Sequence, residues 1–591
     1  MENLVNFIWA WLAIWISWIW VAMGQWILWK KAAEVMWKNK DLASFYLTIT
    51  ILGIALVESA AIYGLIVAFK ILWIDWISLW ASVWAWLAIW LAWFWAWYWE
   101  WKLVAWAIDA IDKNPQMKAK LMTFMVLFVA LVESAAIYWL VIAFKILWET
   151  DFSSNAFVGM WLAVWLAWLW VSIWEWILAE KSMEVLSKNE KSTWYFLTVT
   201  ILGIALVESA AIYGLIVAFK MFGTDGISLW ASIWAWLAIW LTWLGAWLWE
   251  WKLVVGALSA MSDNPQIKSK LMTFMVLFVA LVESAAIYWL VVAFKILWDV
   301  DFTNQAFIWM WLAIWLTWLW ISIWEWLVAE KSLEMMAKKE KAIWYLLTVT
   351  ILCIALVESA AIYGLIVAFK MFGTEWLSLW ASIWAWLAIW LAWFWVSIWE
   401  WLLSTKSLEA MVKHDKLGWY FLTLTVLGIA LVESAAIYGL IVVFKMLWTE
   451  AISLWAAVWA WLAIWLTWFW AWYWEGKLVA WAMTAMSDNP NVRSKLMTFM
   501  VLFIALVESA AIYWLVISFK ILWDADFSSE AFMGMWLAIW LAWLWVSIWQ
   551  WILAEKSLQT MAKSEENIWF LLTVTILGIA LVESAAIYGL I

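Results

Sequence analysis

A single cysteine, Cys353, in 591 residues rules out an internal disulfide and leaves the redox compartment open. It stands in the repeat column of Gly53 and Gly203, which reads as a small buried packing residue. Charge is equally scarce. Only 13% of residues are Asp, Glu, Lys or Arg, against 70% hydrophobic, too few charges to cover the surface of a soluble protein of this size. The net charge of −10 is spread over short loops and implies no nucleic-acid partner. Met1-Glu2-Asn3 lacks the basic stretch of a cleaved signal peptide, so the first apolar run reads as a spanning helix. The one histidine, His414, lies in a charged loop and reads as a surface residue. Glycine is short as well, at 19 residues, while tryptophan reaches 76.

Apolar runs of about 20 residues fill the chain, the length a helix needs to cross a bilayer. Within them one octet, Leu56-Val57-Glu58-Ser59-Ala60-Ala61-Ile62-Tyr63, recurs around Glu133, Glu208, Glu283, Glu358, Glu433, Glu508 and Glu583, each glutamate 75 residues after the last. A fixed period means an array of equal units rather than several unlike domains. Each unit reads as two spanning helices around a polar loop, about sixteen spans in all. The fold class is an all-α membrane protein of tandem transmembrane hairpins. We place the hairpins at 1–73, 74–148, 149–223, 224–298, 299–373, 374–448, 449–523 and 524–591. The last stops short on its exit side and is expected to be truncated.

Two hairpin types alternate. One has loops such as Glu180-Lys181-Ser182-Met183-Glu184; the other has Lys113-Asn114-Pro115, with Asn264-Pro265 and Asn489-Pro490 at the same place. The sixth, with Lys406-Ser407-Leu408-Glu409, is a hybrid. Loops inside hairpins gather lysines (Lys30, Lys31, Lys38, Lys40), whereas those between hairpins carry Asp75, Asp151, Asp301 and Asp526. Lysine bias marks the cytoplasmic side, so the intra-hairpin loops are expected in the cytoplasm, in a bacterial inner membrane.

Tryptophans form a template in the first helix of each unit: Trp84, Trp86, Trp90, Trp93, Trp95, Trp99, Trp101. Glycine replaces them at Gly159 and Gly534, Gly245, Gly24 and Gly476, and Gly256 shares the column of Trp106. In the second helix Gly64, Gly214, Gly364, Gly439 and Gly589 share a column with Trp139, Trp289 and Trp514. No packed site takes the smallest and the largest side chain alike; overpacking one site costs about 1–3 kcal/mol. Most of these tryptophans therefore read as glycines, as when UGA codons decoded as glycine are translated as tryptophan. Deliberate tryptophan substitution is the alternative. With literal tryptophans the inner helices are expected to splay.

A carboxylate at mid-membrane is functional by default. Each first helix adds a polar residue: Gln25, Glu100, Glu175, Glu250, Glu325, Glu400, Glu475 or Gln550. Glu100 lies 15 residues before Pro115 and Glu133 lies 18 after it. At 1.5 Å per residue these are roughly 22 and 27 Å along their helices, close enough in depth to meet.

With tryptophan read as glycine, Trp86–Trp106 becomes a glycine-repeat helix, followed by a polar loop and the octet around Glu133. This resembles the c-type rotor protein of F-type rotary ATP synthases, the hairpin whose copies build the membrane rotor ring; the V-type rotor proteolipid is the close relative. The resemblance covers nearly the whole chain, here a tandem fusion of eight hairpins. Lys113-Asn114-Pro115 stands where the family has its stalk-touching Arg-Gln-Pro loop. The departures are Lys for Arg, Asn for Gln, and loops without proline in the first, third, fifth, sixth and eighth units.

The resemblance implies inner and outer helix layers arranged as a ring or arc. It implies ions carried on the eight outer glutamates past a stator a-type subunit, and central-stalk subunits at the loops. It implies no bond chemistry in this chain and no cofactor beyond the transported Na+ or H+. Further copies are partners where one chain does not close the ring. In the family's sodium-type site the serine and tyrosine come from the neighbouring outer helix. The hydroxyls are Ser59, Ser134, Ser209, Ser284, Ser359, Ser434, Ser509 and Ser584. The tyrosines are Tyr63, Tyr138, Tyr213, Tyr288, Tyr363, Tyr438, Tyr513 and Tyr588, with the carbonyl of Leu131 and its equivalents. Oxygen donors suit a hard cation. Two facing carboxylates do not both ionise cheaply, so one stays protonated; the Gln25 and Gln550 sites need no such proton. Sodium is favoured over the proton, although residue 135 is alanine where some sodium binders carry threonine. Ser59 also suits a bond to its own helix, and Tyr63 an interfacial anchor. A self-contained transporter and a tryptophan-rich barrel with vestigial sites are the rival readings.

Overall fold

The computed structural model describes residues 2–74, 79–148, 171, 173–222, 229–298, 306–372, 379–448, 454–523, 529–563 and 566–590. Among them every regular element is a helix. Residues Met1–Phe302 and Thr303–Ile591 form two compact units. The first holds α1 (Glu2–Lys38), α2 (Ala43–Trp73), α3 (Leu79–Lys113), α4 (Lys118–Trp148), α5 (173–188), α6 (Thr193–Phe222), α7 (Leu229–Asp263) and α8 (Lys268–Trp298). The second holds α9 (Ala306–Lys338), α10 (Ile343–Phe372), α11 (Leu379–Lys413), α12 (Gly418–Trp448), α13 (Leu454–Asp488), α14 (Arg493–Trp523), α15 (Ser529–Lys563) and α16 (Ile568–Leu590). The acidic linkers at Asp75, Asp151, Asp301 and Asp526 lie outside the described residues.

Odd and even helices pair as antiparallel hairpins, and the turn between them has a local cause. One residue leaves the helical region: Asn39 at φ −123°, Asn114 at φ −139°, His414 at φ −130°. Asparagine favours such breaks because its amide competes for backbone partners. A short 3-10 turn then starts the outer helix, with Pro115 in its first position, where a missing N–H costs nothing. The amide also ties neighbouring hairpins together. Asn114 donates to the Ser187 carbonyl at 3.0 Å, Asn189 to the Ser262 hydroxyl at 2.8 Å, and Asn489 to the Ala562 carbonyl at 2.9 Å. His414, half-buried rather than a plain surface residue, bonds the Ser487 carbonyl at 2.7 Å. The bond always runs from one hairpin to the next.

The odd helices form an inner layer and the even helices an outer one in each unit, and neighbouring inner helices are the closer set. They do not splay: α1 and α3, like α9, α11, α13 and α15 in succession, keep Cα atoms within 8 Å of one another. The indoles instead stack between neighbouring inner helices, as Trp99 on Trp176 at 4.3 Å and Trp474 on Trp551 at 4.0 Å. Where that junction holds Gly476, the face of Trp399 lies directly on its backbone, with no room for a methyl group. The close packing leaves buried indole N–H groups of Trp99, Trp101, Trp176, Trp251, Trp324, Trp401 and Trp551 without an acceptor. Each such group costs about 1–3 kcal/mol. In the outer layer Trp514 is 1% exposed in the column where Gly64, Gly214, Gly364 and Gly439 are also buried.

Four hairpins are pinned inside by a buried hydroxyl pair: Ser182 with Thr200, Ser332 with Thr350 (2.5 Å), Ser407 with Thr425, and Ser557 with Thr575. The proline-loop hairpins fill the same place with Ala107 and Met125, Ala257 and Met275, or Ala482 and Met500, all 0% exposed. Gly53, Gly203 and Gly428 lie against Val104, Val254 and Val479. At the corresponding junction buried Cys353 hydrogen-bonds Ser404, the cysteine filling the space a valine fills elsewhere.

Among the described residues seven helices are long and apolar enough to cross a membrane, by length and composition. Six are outer helices; of the inner ones α1 qualifies.

Candidate functional site

The octet sits near the middle of each outer helix, and the hairpin register sets what faces it. Ser407 bonded to Thr425 fixes inner residue 407 opposite outer residue 425. Seven residues along α11 and eight along α12 then bring Glu400 level with Glu433. The inner carboxylates are wholly buried: Glu100, Glu175, Glu250, Glu325, Glu400 and Glu475 are each 0% exposed. Their oxygens have no hydrogen-bond partner. Each lies within electrostatic reach of the outer glutamate of its own hairpin, from Glu100 with Glu133 to Glu475 with Glu508. In the first hairpin the Gln25 amide donates to Glu58 at 2.8 Å. Gln550 is buried with both amide atoms unpartnered.

Hydroxyls arrive from the preceding outer helix. Ser209 donates to Glu283 at 2.5 Å, Ser359 to Glu433 at 2.5 Å, and Tyr438 to Glu508 at 3.2 Å. Tyr63 hydrogen-bonds Glu133, and Tyr213 joins Ser209 on Glu283. Tyr138 lies near Glu208 and Glu175, and Tyr363 near Glu433. Tyr288 and Tyr513 are half-buried at the equivalent places. Tyr63, Tyr138, Tyr213, Tyr363 and Tyr438 thus face carboxylates rather than the lipid boundary. Ser209 also bonds back to the Leu206 carbonyl at 2.7 Å, and Ser584 to Leu581 at 2.7 Å, so back-bonding and site contact coexist. Ser284 sits half-buried in the same column, and Glu583 half-buried on α16. The side chains of Ser59, Ser134, Ser434, Ser509 and Tyr588 lie outside the described residues.

Among the described residues no three His, Cys, Asp or Glu side chains converge. The donors gathered at one site are two carboxylates, a serine and a tyrosine hydroxyl. Such a set holds a proton or a hard cation.

At the loop end, Lys113, Pro115 and Pro265 are exposed and Pro490 is half-buried. Asn114 and Asn489 are committed to the next hairpin, and Asn264 is half-buried at the same turn. Asn114 and Asn489, expected in the stalk-facing loop, also make this tie, for which their constant place at the helix break is the sequence signal. Glu555 is 9% exposed and accepts from Gln559 at 2.8 Å. Glu184 is held down to about 2 by hydrogen bonds from Lys181 and Lys188.

The repeated hairpins match the model of a known protein family. Its model, that of the ATP synthase c-subunit, matches residues 8–71, 83–146, 158–221, 233–296, 308–371, 458–521 and 533–591. The chain belongs to the ATP synthase c-subunit family. It is a tandem fusion of c-subunit hairpins and thus a multi-pass membrane component of an ATP synthase, with a rotor-ring, ion-translocating role. The sixth hairpin lies outside the matched stretches although α11 and α12 repeat the others. No curated protein and no solved structure matches the chain.

Proposed function

We propose that each hairpin junction carries one Na+ on its outer glutamate, past a stator a-type subunit of an F-type complex, with central-stalk subunits at the lysine-bearing loops. The supporting observation is the wholly buried, unpartnered inner carboxylate beside an outer carboxylate that accepts from serine and tyrosine. A protonated inner Glu100 bridges to Glu133, and the cation takes the remaining oxygens. Glu58 and Glu583, paired with Gln25 and Gln550, hold it without that proton. The working units are the eight hairpins from 1–73 to 524–591, with loops in the cytoplasm. Carbodiimide labelling of Glu133 and its equivalents tests the cation: sodium is expected to protect them, and absence of protection at every pH assigns the proton instead. A V-type complex is the alternative setting, separated by which stalk proteins co-purify.

We further propose that most template tryptophans are glycine in the cell. Support comes from the orphaned indole N–H groups and from Gly476 and Trp176 serving the same column. UGG codons at Trp90 and Trp99 would refute it.

A further inference from the structure

We propose that a serine on the inner helix sorts the sites of this chain into two classes, its hydroxyl being an additional cation ligand. The inference rests on the sodium reading above. Among the described residues Ser322, Ser397 and Ser547 stand three before the inner partner, where the first, second, fourth and seventh hairpins have Ala22, Trp97, Trp247 and Trp472; the third has Ser172, which lies outside the described residues. The three serines are 1%, 0% and 3% exposed. Residues three apart lie on one face of a helix, so each serine shares the buried face of Glu325, Glu400 or Gln550.

The hydroxyl locks fix their level. Ser407 lies opposite Thr425; ten residues along each helix, Ser397 comes opposite residue 435, two beyond Glu433. Ser332 with Thr350 and Ser557 with Thr575 place Ser322 opposite residue 360 and Ser547 opposite residue 585 in the same way. The outer helix has alanine at this position in every hairpin, from Ala60 to Ala585. The inner serine therefore supplies, from the other side, a hydroxyl the outer helix lacks. A helical serine that bonds its own backbone keeps lone pairs for a cation. Whether the tryptophans are literal or glycine does not matter, because neither brings a hydroxyl.

Among the hairpins whose residue at this position is described, the sites at Glu358, Glu433 and Glu583 form the serine class, and those at Glu58, Glu133, Glu283 and Glu508 the other. The test is a sodium titration of carbodiimide labelling on the full chain in detergent, at one pH, with each glutamate followed by peptide mass spectrometry. Glu358 and Glu433 are expected to be half-protected at roughly tenfold less sodium than Glu133, Glu283 and Glu508, all five having an inner glutamate. Ser397→Ala is expected to move Glu433 alone into the weaker group, and Ser397→Thr to leave it in place. Equal titration at all five sites, or no shift of Glu433 in Ser397→Ala, overturns the inference while the sodium reading stands. A shift at every site would report lost packing and also overturn the ligand role. No sodium protection anywhere overturns both readings.

Discussion

The hydroxyl of Ser209 donates to the carboxylate of Glu283, 74 residues away on the next outer helix, at 2.5 Å. The group around Glu283 is thus assembled from two hairpins, so a lesion in one hairpin should register in the site of the next. Ser209→Ala is expected to lower sodium protection of Glu283 by roughly tenfold, the worth of a hydrogen bond to a charged group. Protection of Glu208, on the mutated hairpin itself, should stay unchanged. Site-resolved labelling checks this, and an effect on Glu208 instead would contradict the assignment.

Glu133→Gln removes one carrier of eight while keeping its shape. We expect more than a tenfold loss of ATP-driven ion uptake by the complex in vesicles, since a carrier unable to release or bind its ion stops a rotating array. Uptake reduced by only about an eighth would mean that the sites act independently.

The Ser332–Thr350 pair is buried between inner and outer helices of one hairpin. Thr350→Val leaves a buried hydroxyl unsatisfied and should cost about 1–3 kcal/mol, whereas Ser332→Ala with Thr350→Val should cost less than the single change. Unfolding in mixed detergent measures both. Met275 beside Ala257 shows that an apolar pair fits that place.

Glu184 gives a pH signature at the loop end. Lysine hydrogen bonds lower its carboxyl from 4.5 to about 2, so its contribution is present above the unfolded value and is lost as pH falls between those limits. The side chain is 40% exposed, and solvent screening keeps the gain within about 1 kcal/mol. The melting difference between wild type and Glu184→Gln should vanish by the acid end of that window and shrink with salt.

The helix pairs, the eightfold period and both carboxylate columns were legible in the sequence, because a fixed spacing and a mid-helix glutamate are visible in one dimension. Their junction partners were not. Ser209 and Tyr213 follow Glu208 in the chain yet serve Glu283, and only the resemblance to the rotor-ring family assigned them across the boundary. Asn114 read as an outward loop residue because its acceptor, the Ser187 carbonyl, is a backbone atom that no sequence pattern reveals. The splay expected from tryptophan failed for a physical reason: flat indoles stack, so helices stay close and the penalty falls on buried N–H groups instead.

The ties at the loops carry one more consequence. Asn114 reaches Ser187, Asn189 reaches Ser262, and Asn489 reaches Ala562, always onward along the chain. Such head-to-tail contacts have no twofold symmetry. The array therefore has a polarity along the chain: the leading and the trailing side of a hairpin offer different groups at the loop end, one the asparagine amide and the other its acceptor.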